Sequence, residues 1–476
     1  MDAIKMPVRD HSDLLEAFSR LKAASAANAH PPQNVRKQWL NALERLIQDN
    51  RDALIDAVSR DFGHRSAVET RLAELFPTLE AIRHARRKLA GWMKPKRRGV
   101  SIWFQPGRAS VLPQPLGVAG VVVPWNYPLF LSFGPIVAAL AAGNRVMVKM
   151  SEYTPATGEL LASLAERYFG PEVLVVTNGG ADLAQAFTRL PFDHLLFTGS
   201  TDVGRHVMRA AADNLTPVTL ELGGKSPALV TRGADLRRAA EAIVAGKMLN
   251  AGQTCVAPDY ILVNDKDCGL LLDEIRAAAA RAYPSLANNP DYSAVINDRH
   301  YQRLSGWLEA ARQAGARIEE VNPAREELAA VRKMPLTLVQ RCPEDAALLR
   351  EEIFGPILPV VTYDKFDEAL AYINARPRPL ALYLFDNDDL RIERVLKETV
   401  SGGVCVNDTL LHVVQDGLPF GGVGPSGMGH YHAYEGFLTF SKLKPVFRQS
   451  RLSGSWMTRP PYGALVEGLL KLMLRR

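Results

Sequence analysis

Cysteine is scarce in this sequence, with four residues in 476 and no two close enough to form a CxxC pair. This spacing excludes a disulfide-stabilised secreted scaffold and the common dithiol and zinc-finger motifs. We therefore expect a reducing, cytoplasmic compartment and no metal site. Each cysteine is then considered singly, either as a small buried side chain or as a nucleophile.

Long apolar runs and a strong charge of one sign are also missing. The longest apolar run, residues 131–143, is shorter than the roughly 20 residues that a transmembrane helix needs. Residues 1–5 lack the apolar core of a secretion signal. The net charge of +6 is small for this length, so nucleic-acid binding is not expected. What is present, 47% apolar and 23% charged residues, is typical of a globular chain with two or three domains.

The hydrophobic pattern changes near residue 117. Residues 12–92 carry apolar residues at helical spacing. From 117 onwards the chain alternates between strands and helices, with predicted strands at 117–124, 145–150, 173–177, 194–198 and 218–222. This alternation predicts an α/β fold with a parallel, doubly wound sheet, which binds ligands beyond the carboxyl ends of its strands.

Two further segments predict β-structure outside that sheet, and one predicts a terminal helix. Residues 101–104 and 109–112 flank a Gln-Pro-Gly-Arg turn, which is typical of a hairpin. Residues 438–447 are strand-like. Residues 462–476 place apolar side chains on one helical face, with Arg475 and Arg476 at the end that favours cations. This tail is too short to span a bilayer, and we expect it to pack near a substrate entrance or to contact a membrane surface weakly.

Three residues have the chemistry of an acyl-transfer site. Cys255 follows a Gly-Gln-Thr turn and could attack a carbonyl carbon, although a lone cysteine is more often a small buried side chain. Glu221 ends the last predicted strand and could act as a general base, or cap a helix. Asn126 lies between Pro124 and Pro128, where its amide could donate to an oxyanion or only form a turn.

Three loops have features suited to a dinucleotide. Lys149 and Glu152 follow a predicted strand and could hold ribose hydroxyls, or form a surface ion pair. Residues 197–204 join a strand to a helix with two glycines, which suits a pyrophosphate. Residues 351–356 offer a carboxylate and an aromatic ring to a flat ligand. The GxGxxG match at 422–427 does not follow a strand, so we do not expect it to bind phosphate.

These motifs resemble those of the NAD(P)-dependent aldehyde dehydrogenase superfamily. Six of them occur in the family's order between residues 124 and 429: PWNYP, FTGSTDVG, ELGGKSP, GQTC, EEIFGP and LPFGGVGPSGMG. The short N-terminal region and residues 406–412 are similar to the class 3 branch, which includes fatty and aromatic aldehyde dehydrogenases. Residues 405–408 and 429–432 are most similar to the bacterial coniferyl aldehyde dehydrogenases. Met150 departs from the pattern, because the family usually has proline there, and we expect it to relax the adenosine pocket.

The resemblance implies a role for each candidate. Cys255 would be the nucleophile, Glu221 the base that activates water, and Asn126 an oxyanion donor. NAD, or possibly NADP, would be held by a set of nine residues: Trp125, Lys149, Glu152, Gly199, Ser200, Val203, Gly204, Glu352 and Phe354. An aldehyde, with an apolar or aromatic one expected and coniferyl aldehyde favoured, would meet Tyr127, Leu131 and Leu411.

The resemblance also implies three structural parts and a homodimer. We expect a Rossmann-type cofactor domain from residues 1–95 and 113–224, and an α/β catalytic domain from 225–408. Residues 96–112 and 409–476 would form a small β bridging element with a C-terminal tail. Other reactions remain open from the sequence: oxidation of medium- or long-chain fatty aldehydes, CoA acylation, or thiol esterase activity.

Overall fold

Two large β-sheets, of six and seven strands, organise the chain, and a third sheet has three strands. The structure is a computed structural model that describes residues 10–474, apart from the side chains at 456 and 458. The described chain opens with five helices: α1 (His11–Ala27), α2 (Gln33–Asp49), α3 (Arg51–Phe62), α4 (Ala67–Thr70) and α5 (Phe76–Trp92). Leu40, Leu43 and Ile47 recur at helical spacing in α2 and are all buried, as the sequence pattern predicted.

The predicted hairpin is present, but its first strand is not where the sequence indicated. The chain passes from β1 (Lys96–Arg98) to β2 (Arg108–Pro115), and these two strands pair antiparallel. Residues Ile102–Phe104 form a 3₁₀ turn within the connection. The prediction of a strand at 101–104 was wrong, because Ile102–Phe104 turn as a 3₁₀ helix and all three side chains are exposed.

The alternation predicted from residue 117 is confirmed. Five parallel strands form most of the six-stranded sheet: β3 (Val118–Val122), β4 (Arg145–Lys149), β5 (Leu174–Thr177), β6 (His194–Gly199) and β7 (Val218–Leu222). The helices between them are α6 (Phe130–Ala142), α7 (Pro155–Phe169), α8 (Ala181–Thr188) and α9 (Thr201–Ala212). Their order is β7-β6-β3-β4-β5, so the carboxyl ends of the strands meet at one edge of the sheet.

The seven-stranded sheet comes from the second half of the chain. Its strands are β8 (Pro227–Val230), β9 (Tyr260–Asn264), β10 (Arg317–Val321), β11 (Leu336–Gln340), β12 (Ile357–Tyr363), β13 (Ala381–Phe385) and β14 (Gly403–Val406). The helices among them are α10 (Leu236–Met248), α11 (Asp265–Ala282), α12 (Asp298–Gln313), α13 (Ala347–Arg350), α14 (Phe366–Asn374) and α15 (Asp389–Glu398). The order is β10-β11-β12-β9-β8-β13-β14, and only the β10–β11 pair is antiparallel.

The C-terminal region returns to the earlier sheets. Its elements are β15 (Gly427–Met428), α16 (Ala433–Thr439), β16 (Ser441–Arg448) and α17 (Ala464–Met473). β15 pairs with β7, and β16 pairs with β2 to complete the three-stranded sheet. The strand-like stretch therefore begins three residues later than expected, because α16 occupies its start.

The predicted terminal helix is confirmed as α17, and none of its side chains is buried. Arg475 and Arg476 lie outside the described residues. Within residues 10–474, no helix combines the length and apolarity needed to cross a membrane. The domain boundaries drawn from the sequence stay a prediction.

Candidate active site

A cavity of about 250 Å³ lies between the ends of the β3, β6 and β7 strands and loops of the second half of the chain. Its lining includes all three candidate catalytic residues, Asn126, Glu221 and Cys255. Among the residues predicted to bind cofactor or substrate, it includes Trp125, Leu131, Gly199, Ser200, Glu352 and Phe354. These side chains come from segments up to 229 residues apart (354 − 125), so the tertiary fold brings them together.

The loop that carries Cys255 has an unusual backbone. After α10, Asn250, Ala251 and Gly252 all have positive φ, at 53°, 51° and 74°. Non-glycine residues rarely adopt this region, and such strain often marks a functional site. A Cβ on Gly252 would collide with the backbone carbonyl of Gly355, so glycine allows the two loops to approach.

Side-chain amides hold this loop against the Asn126 loop. The Asn126 Nδ2 donates to the Gln253 carbonyl at 3.1 Å, and the Asn250 Nδ2 donates to the Asn126 carbonyl at 3.0 Å. Gln253 is fully buried and bonds through both ends of its amide, with its Oε1 accepting from the Ile296 N–H at 2.9 Å. The spacing between Asn126 and Cys255 is therefore set by several hydrogen bonds.

A buried charged cluster supports the same two loops from behind. The Arg65 guanidinium donates to the Asn126 carbonyl at 2.6 Å and lies 3.6 Å from the Glu74 carboxylate, with both side chains fully buried. Glu74 accepts the N–H groups of Leu129 and Phe130 at the start of α6. Glu69 accepts the Asn250 N–H at 3.0 Å. Nothing in the sequence indicated this cluster beyond three charges in the helical N-terminal region.

Cys255 is partly buried, and its surroundings differ from the uncharged setting that the local sequence indicated. Burial, followed by the negative charges of Glu352 and Glu221, raises the pKa of the Cys255 thiol to about 12. Backbone N–H groups at Cys255 and Val256 oppose this shift. At neutral pH the thiol is therefore protonated in this arrangement, and its reaction requires a proton acceptor.

Two carboxyl groups face the thiol. Glu221 is 3% exposed, neither carboxyl oxygen has a hydrogen-bond partner within the described residues, and burial raises its pKa well above the ordinary value. Burial, followed by the Asp259 carboxylate, raises the pKa of Glu352 to about 8, while the Gly224 N–H opposes the shift. A carboxyl group with a raised pKa can take and return a proton near neutral pH.

The other residues predicted to bind cofactor lie at the carboxyl edge of the six-stranded sheet. Lys149 ends β4 and is buried, with its Nζ donating to the carbonyls of Met150 and Gly179 at 2.7 Å. Glu152 is exposed in the following turn. The Ser200 side chain caps α9 by accepting the Val203 N–H.

Val203 and Gly204, which were also predicted to bind cofactor at this edge of the six-stranded sheet, differ in exposure. Val203 is 49% exposed on the first turn of α9. Gly204 is buried, and a Cβ there would collide with the Leu222 side chain. Gly204 therefore lets α9 pack closely against β7.

Met150 follows the carboxyl end of β4, and its side chain packs into the core. Its side chain is fully buried and lines a small core cavity with residues of α6 and α7, such as Ile136 and Leu161. Its N–H donates to the Thr177 carbonyl at 3.0 Å, a bond that proline could not make. Met150 thus extends the β4–β5 pairing, and the expectation that it relaxes the adenosine pocket stays a prediction.

Of the three predicted substrate contacts, only Leu131 belongs to the described lining of the cavity. Tyr127 is buried, and its hydroxyl shares a 2.7 Å hydrogen bond with Thr254. Leu411 is 50% exposed. Their contact with a substrate stays a prediction.

Sequence reasoning missed several residues of the lining: Thr198, Leu222, Gly223, His300, Arg303, Leu380, Phe420 and Tyr431. Gly223 allows close packing, because a Cβ there would collide with the Glu352 carboxylate. His300 lies 5.0 Å from the Trp125 ring, and burial lowers its pKa to about 4. Phe420 and Tyr431 form an edge-to-face pair at 6.2 Å. Thr198, Leu222, Gly223, Phe420 and Tyr431 lie within segments that resemble the family, but the resemblance did not show which residues of each segment line the cavity.

Comparison with known proteins gives concordant matches over nearly the whole chain. The aldehyde dehydrogenase family profile matches residues 3–446. A probable coniferyl aldehyde dehydrogenase of Pseudomonas aeruginosa is 54% identical over 97% of this chain and 96% of its own length. The coniferyl aldehyde dehydrogenase of a Pseudomonas species is 46% identical over 96% of this chain and 95% of its own length.

Solved structures share the fold. The substrate-bound state of Staphylococcus aureus AldH superposes with a TM-score of 0.92 at 37% identity, covering 97% of this chain and 99% of that one. The structure of PnpE in complex with nicotinamide adenine dinucleotide gives a TM-score of 0.84 at 26% identity, covering 93% and 91%.

Proposed function

Because the chain belongs to the aldehyde dehydrogenase family and is an NAD(P)-dependent oxidoreductase, we propose that Cys255, Glu221 and Asn126 carry its chemistry. The observation that supports the proposal is that a thiol, a buried carboxyl group and a side-chain amide line the same cavity. A hydrolase would need such a nucleophile and base, but would not need the dinucleotide-type loops at the same cavity.

The edge of the six-stranded sheet suits a dinucleotide. Gly199 has no side chain where β6 leads into α9, and the first N–H groups of this 12-residue helix favour phosphate oxygens. Lys149 and Glu152 would hold the adenosine ribose beside Trp125. Glu352 and Phe354 would hold the nicotinamide half. Val203 and Gly204 would shape the phosphate site.

Each catalytic residue has a defined task in this proposal. Glu221 or Glu352, in its ionised form, takes the thiol proton and passes it to solvent, and the Cys255 sulfur bonds to the aldehyde carbon. The Asn126 amide and the Cys255 N–H stabilise the oxyanion that forms. When bound, the nicotinamide cofactor supplies the hydride acceptor that converts the adduct to a thioester. Glu221 then deprotonates water, which releases the carboxylic acid and restores the thiol.

The substrate class that we propose is the aromatic or apolar aldehyde, with coniferyl aldehyde favoured. Support comes from the coniferyl aldehyde dehydrogenases that share 46–54% identity with this chain. A second support is the largely apolar lining, which contains Leu131, Leu380, Phe420 and Tyr431. Tyr127 and Leu411 would contribute only outside this lining.

Further parts of the proposal concern assembly and location. We infer a cytoplasmic homodimer in which the exposed edges of the three-stranded sheet are covered by a second copy. The α17 tail would pack on that dimer near the substrate entrance. Weak contact with a membrane surface is the competing role for the tail.

An aldehyde panel assayed at 340 nm with NAD and with NADP tests the function. We expect cinnamaldehyde-type compounds to be better substrates than short charged semialdehydes, and the reverse order would contradict the substrate class. Product analysis with and without CoA separates hydrolysis of the thioester from CoA acylation. The Cys255→Ser variant should bind cofactor but lose oxidation, since a hydroxyl is a far weaker nucleophile at neutral pH. More than about a tenth of wild-type turnover would exclude Cys255 from the chemistry, since acid–base assistance alone contributes roughly 10²–10⁴.

A further inference from the structure

Tyr431 carries a hydroxyl group that the proposed chemistry has not used. The residue is 1% exposed, and its hydroxyl has no hydrogen-bond partner among residues 10–474. Buried hydroxyl groups in proteins are nearly always hydrogen-bonded, so an unpaired one calls for an explanation. Tyr431 lines the cavity together with Cys255 and Glu221, which places a hydrogen-bond donor beside the reacting groups.

The backbone fixes the position of Tyr431 relative to Glu221. Gly427 of β15 pairs with Glu221 of β7, and the Leu222 N–H donates to the Ser426 carbonyl at 3.1 Å. The Tyr431 N–H then donates to the Phe420 carbonyl at 2.9 Å. The Tyr431 ring packs edge-on against Phe420 and His432. The segment that ends in Tyr431 is therefore tied to the strand that presents the base.

The two groups are complementary in hydrogen bonding. Burial, followed by the negative charges of Glu221 and Cys255, raises the pKa of the Tyr431 phenol well above its ordinary value, so the hydroxyl stays protonated and can donate. Both carboxyl oxygens of Glu221 can accept, and neither bonds to a described residue. A donor and an acceptor that face one cavity without a hydrogen bond to each other match the two kinds of hydrogen bond that one water molecule makes.

We propose that the Tyr431 hydroxyl positions the water that hydrolyses the thioester, by donating a hydrogen bond to its oxygen while Glu221 accepts its proton. The inference rests on the roles proposed above for Cys255 and Glu221. The water oxygen bonds to the thioester carbon, and the carbon–sulfur bond breaks. The water proton passes to Glu221 and then to the departing Cys255 sulfur. Tyr431 keeps its own proton, so it orients the nucleophile and is not the base.

The Tyr431→Phe variant removes only the hydroxyl, and Tyr434→Phe is its matched control. Tyr434 lies three residues further on, outside the described lining, and its hydroxyl contacts Lys96. Rapid-mixing kinetics would measure the burst of reduced cofactor, the steady-state rate and the mass of the quenched enzyme. For Tyr431→Phe we expect a burst at the wild-type rate, turnover lower by about 10–100-fold and acyl-enzyme on Cys255, since misplacing a reactant can cost about 10²-fold. Tyr434→Phe should behave as wild type.

Several outcomes would overturn the inference. Unchanged turnover in Tyr431→Phe, an equal loss of burst and steady-state rate, or a change in KM alone would each exclude a role confined to hydrolysis. The Glu221→Gln variant, measured in parallel, separates the two proposals. If it accumulates acyl-enzyme and Tyr431→Phe does not, only the Tyr431 inference fails. If Glu221→Gln does not accumulate acyl-enzyme, the role proposed for Glu221 as the base fails, and the Tyr431 inference, which rests on that role, fails with it.

A second probe tests the inference in case Tyr431→Phe fails to fold. Difluorotyrosine incorporated at position 431 keeps the ring and hydroxyl but makes the phenol more acidic. We expect a change in the hydrolysis rate and its pH profile without a change in the burst. Hydrolysis identical to that of the wild type across the pH range would overturn the inference.

Discussion

Asn126 is the residue whose proposed role depends most on a preformed hydrogen bond. Its amide nitrogen carries two hydrogens, and only one is directed to the Gln253 carbonyl. We expect Asn126→Ala to lower turnover by about 10²–10³, the usual effect of losing one oxyanion donor. Asn374→Ala is a suitable control, because that amide bonds to the Glu398 carbonyl outside the described lining. A change confined to the Michaelis constant would limit Asn126 to substrate binding.

Glu221 also predicts a pH dependence of stability. Burial raises the pKa of Glu221 in the folded state above the ordinary value of 4.5. The contribution of this group to the free energy of unfolding is therefore fully present below pH 4.5. It is lost as pH rises through the folded-state pKa, because the buried carboxyl group must then ionise. Glu221→Gln removes this loss. We expect the thermal midpoint of the variant to exceed that of the wild type increasingly from pH 5 to pH 9. If the difference in thermal midpoint between the variant and the wild type stayed constant over this pH range, a strongly raised pKa of Glu221 would be contradicted.

At the scale of elements, a buried ion pair joins the N-terminal helices to the start of α6. Arg65→Ala would leave the Glu74 carboxylate buried without its cation, so we expect the free energy of unfolding to fall by about 3–5 kcal/mol. Denaturant titration measures this change. Arg51→Ala is the control, since the Arg51–Asp52 pair is exposed and its removal should leave unfolding unchanged within error. If both variants lowered the free energy of unfolding equally, burial would not determine the cost of removing the cation.

The α17 helix makes a different prediction, because it buries no side chain within the chain. Deleting residues 462–476 should leave the thermal midpoint unchanged while altering activity on bulky aldehydes more than on small ones. Melting curves and an aldehyde size series measure the two effects. If the full-length protein co-sediments with anionic liposomes and the truncated form does not, the membrane role of the tail is supported instead.

At the scale of the whole molecule, the three-stranded sheet predicts an assembly. Its outer strands β1 and β16 each have one unpaired edge, and Ile102, Trp103 and Phe447 beside them are more than half exposed. Exposed edges with apolar side chains favour association. We expect a dimer in sedimentation velocity at micromolar concentration, and a Trp103→Glu variant that shifts toward monomer. A monomeric wild-type protein under these conditions would contradict the prediction.

The order of strands and helices was predictable from the sequence because it depends on local patterns. The alternation after residue 117 and the helical spacing of Leu40, Leu43 and Ile47 each lie within one element, and both were confirmed. The same holds for α17. The family was also evident in the linear order of six motifs, since each motif is a short contiguous stretch.

The partners of each side chain were decided by the tertiary structure. Residues 101–104 had strand-like composition, but the pairing of β1 with β2 used residues 96–98 instead. Met150 followed a cofactor-type lysine, but the direction of its side chain was set by the core between α6 and α7. The local sequence of Cys255 is uncharged, whereas burial, followed by carboxyl groups 97 and 34 residues away (352 − 255 and 255 − 221), raises its pKa.

Sequence therefore determined the elements, the family and the positions along the chain of the proposed nucleophile, base and amide, because these depend on short contiguous patterns. Only the tertiary structure decided that Tyr431 shares the cavity with Glu221, that Arg65 and Glu74 support the Asn126 loop, and that Tyr127 lies outside the lining. The physical reason is that burial and long-range contacts set these environments. Neither follows from a side chain's neighbours in sequence.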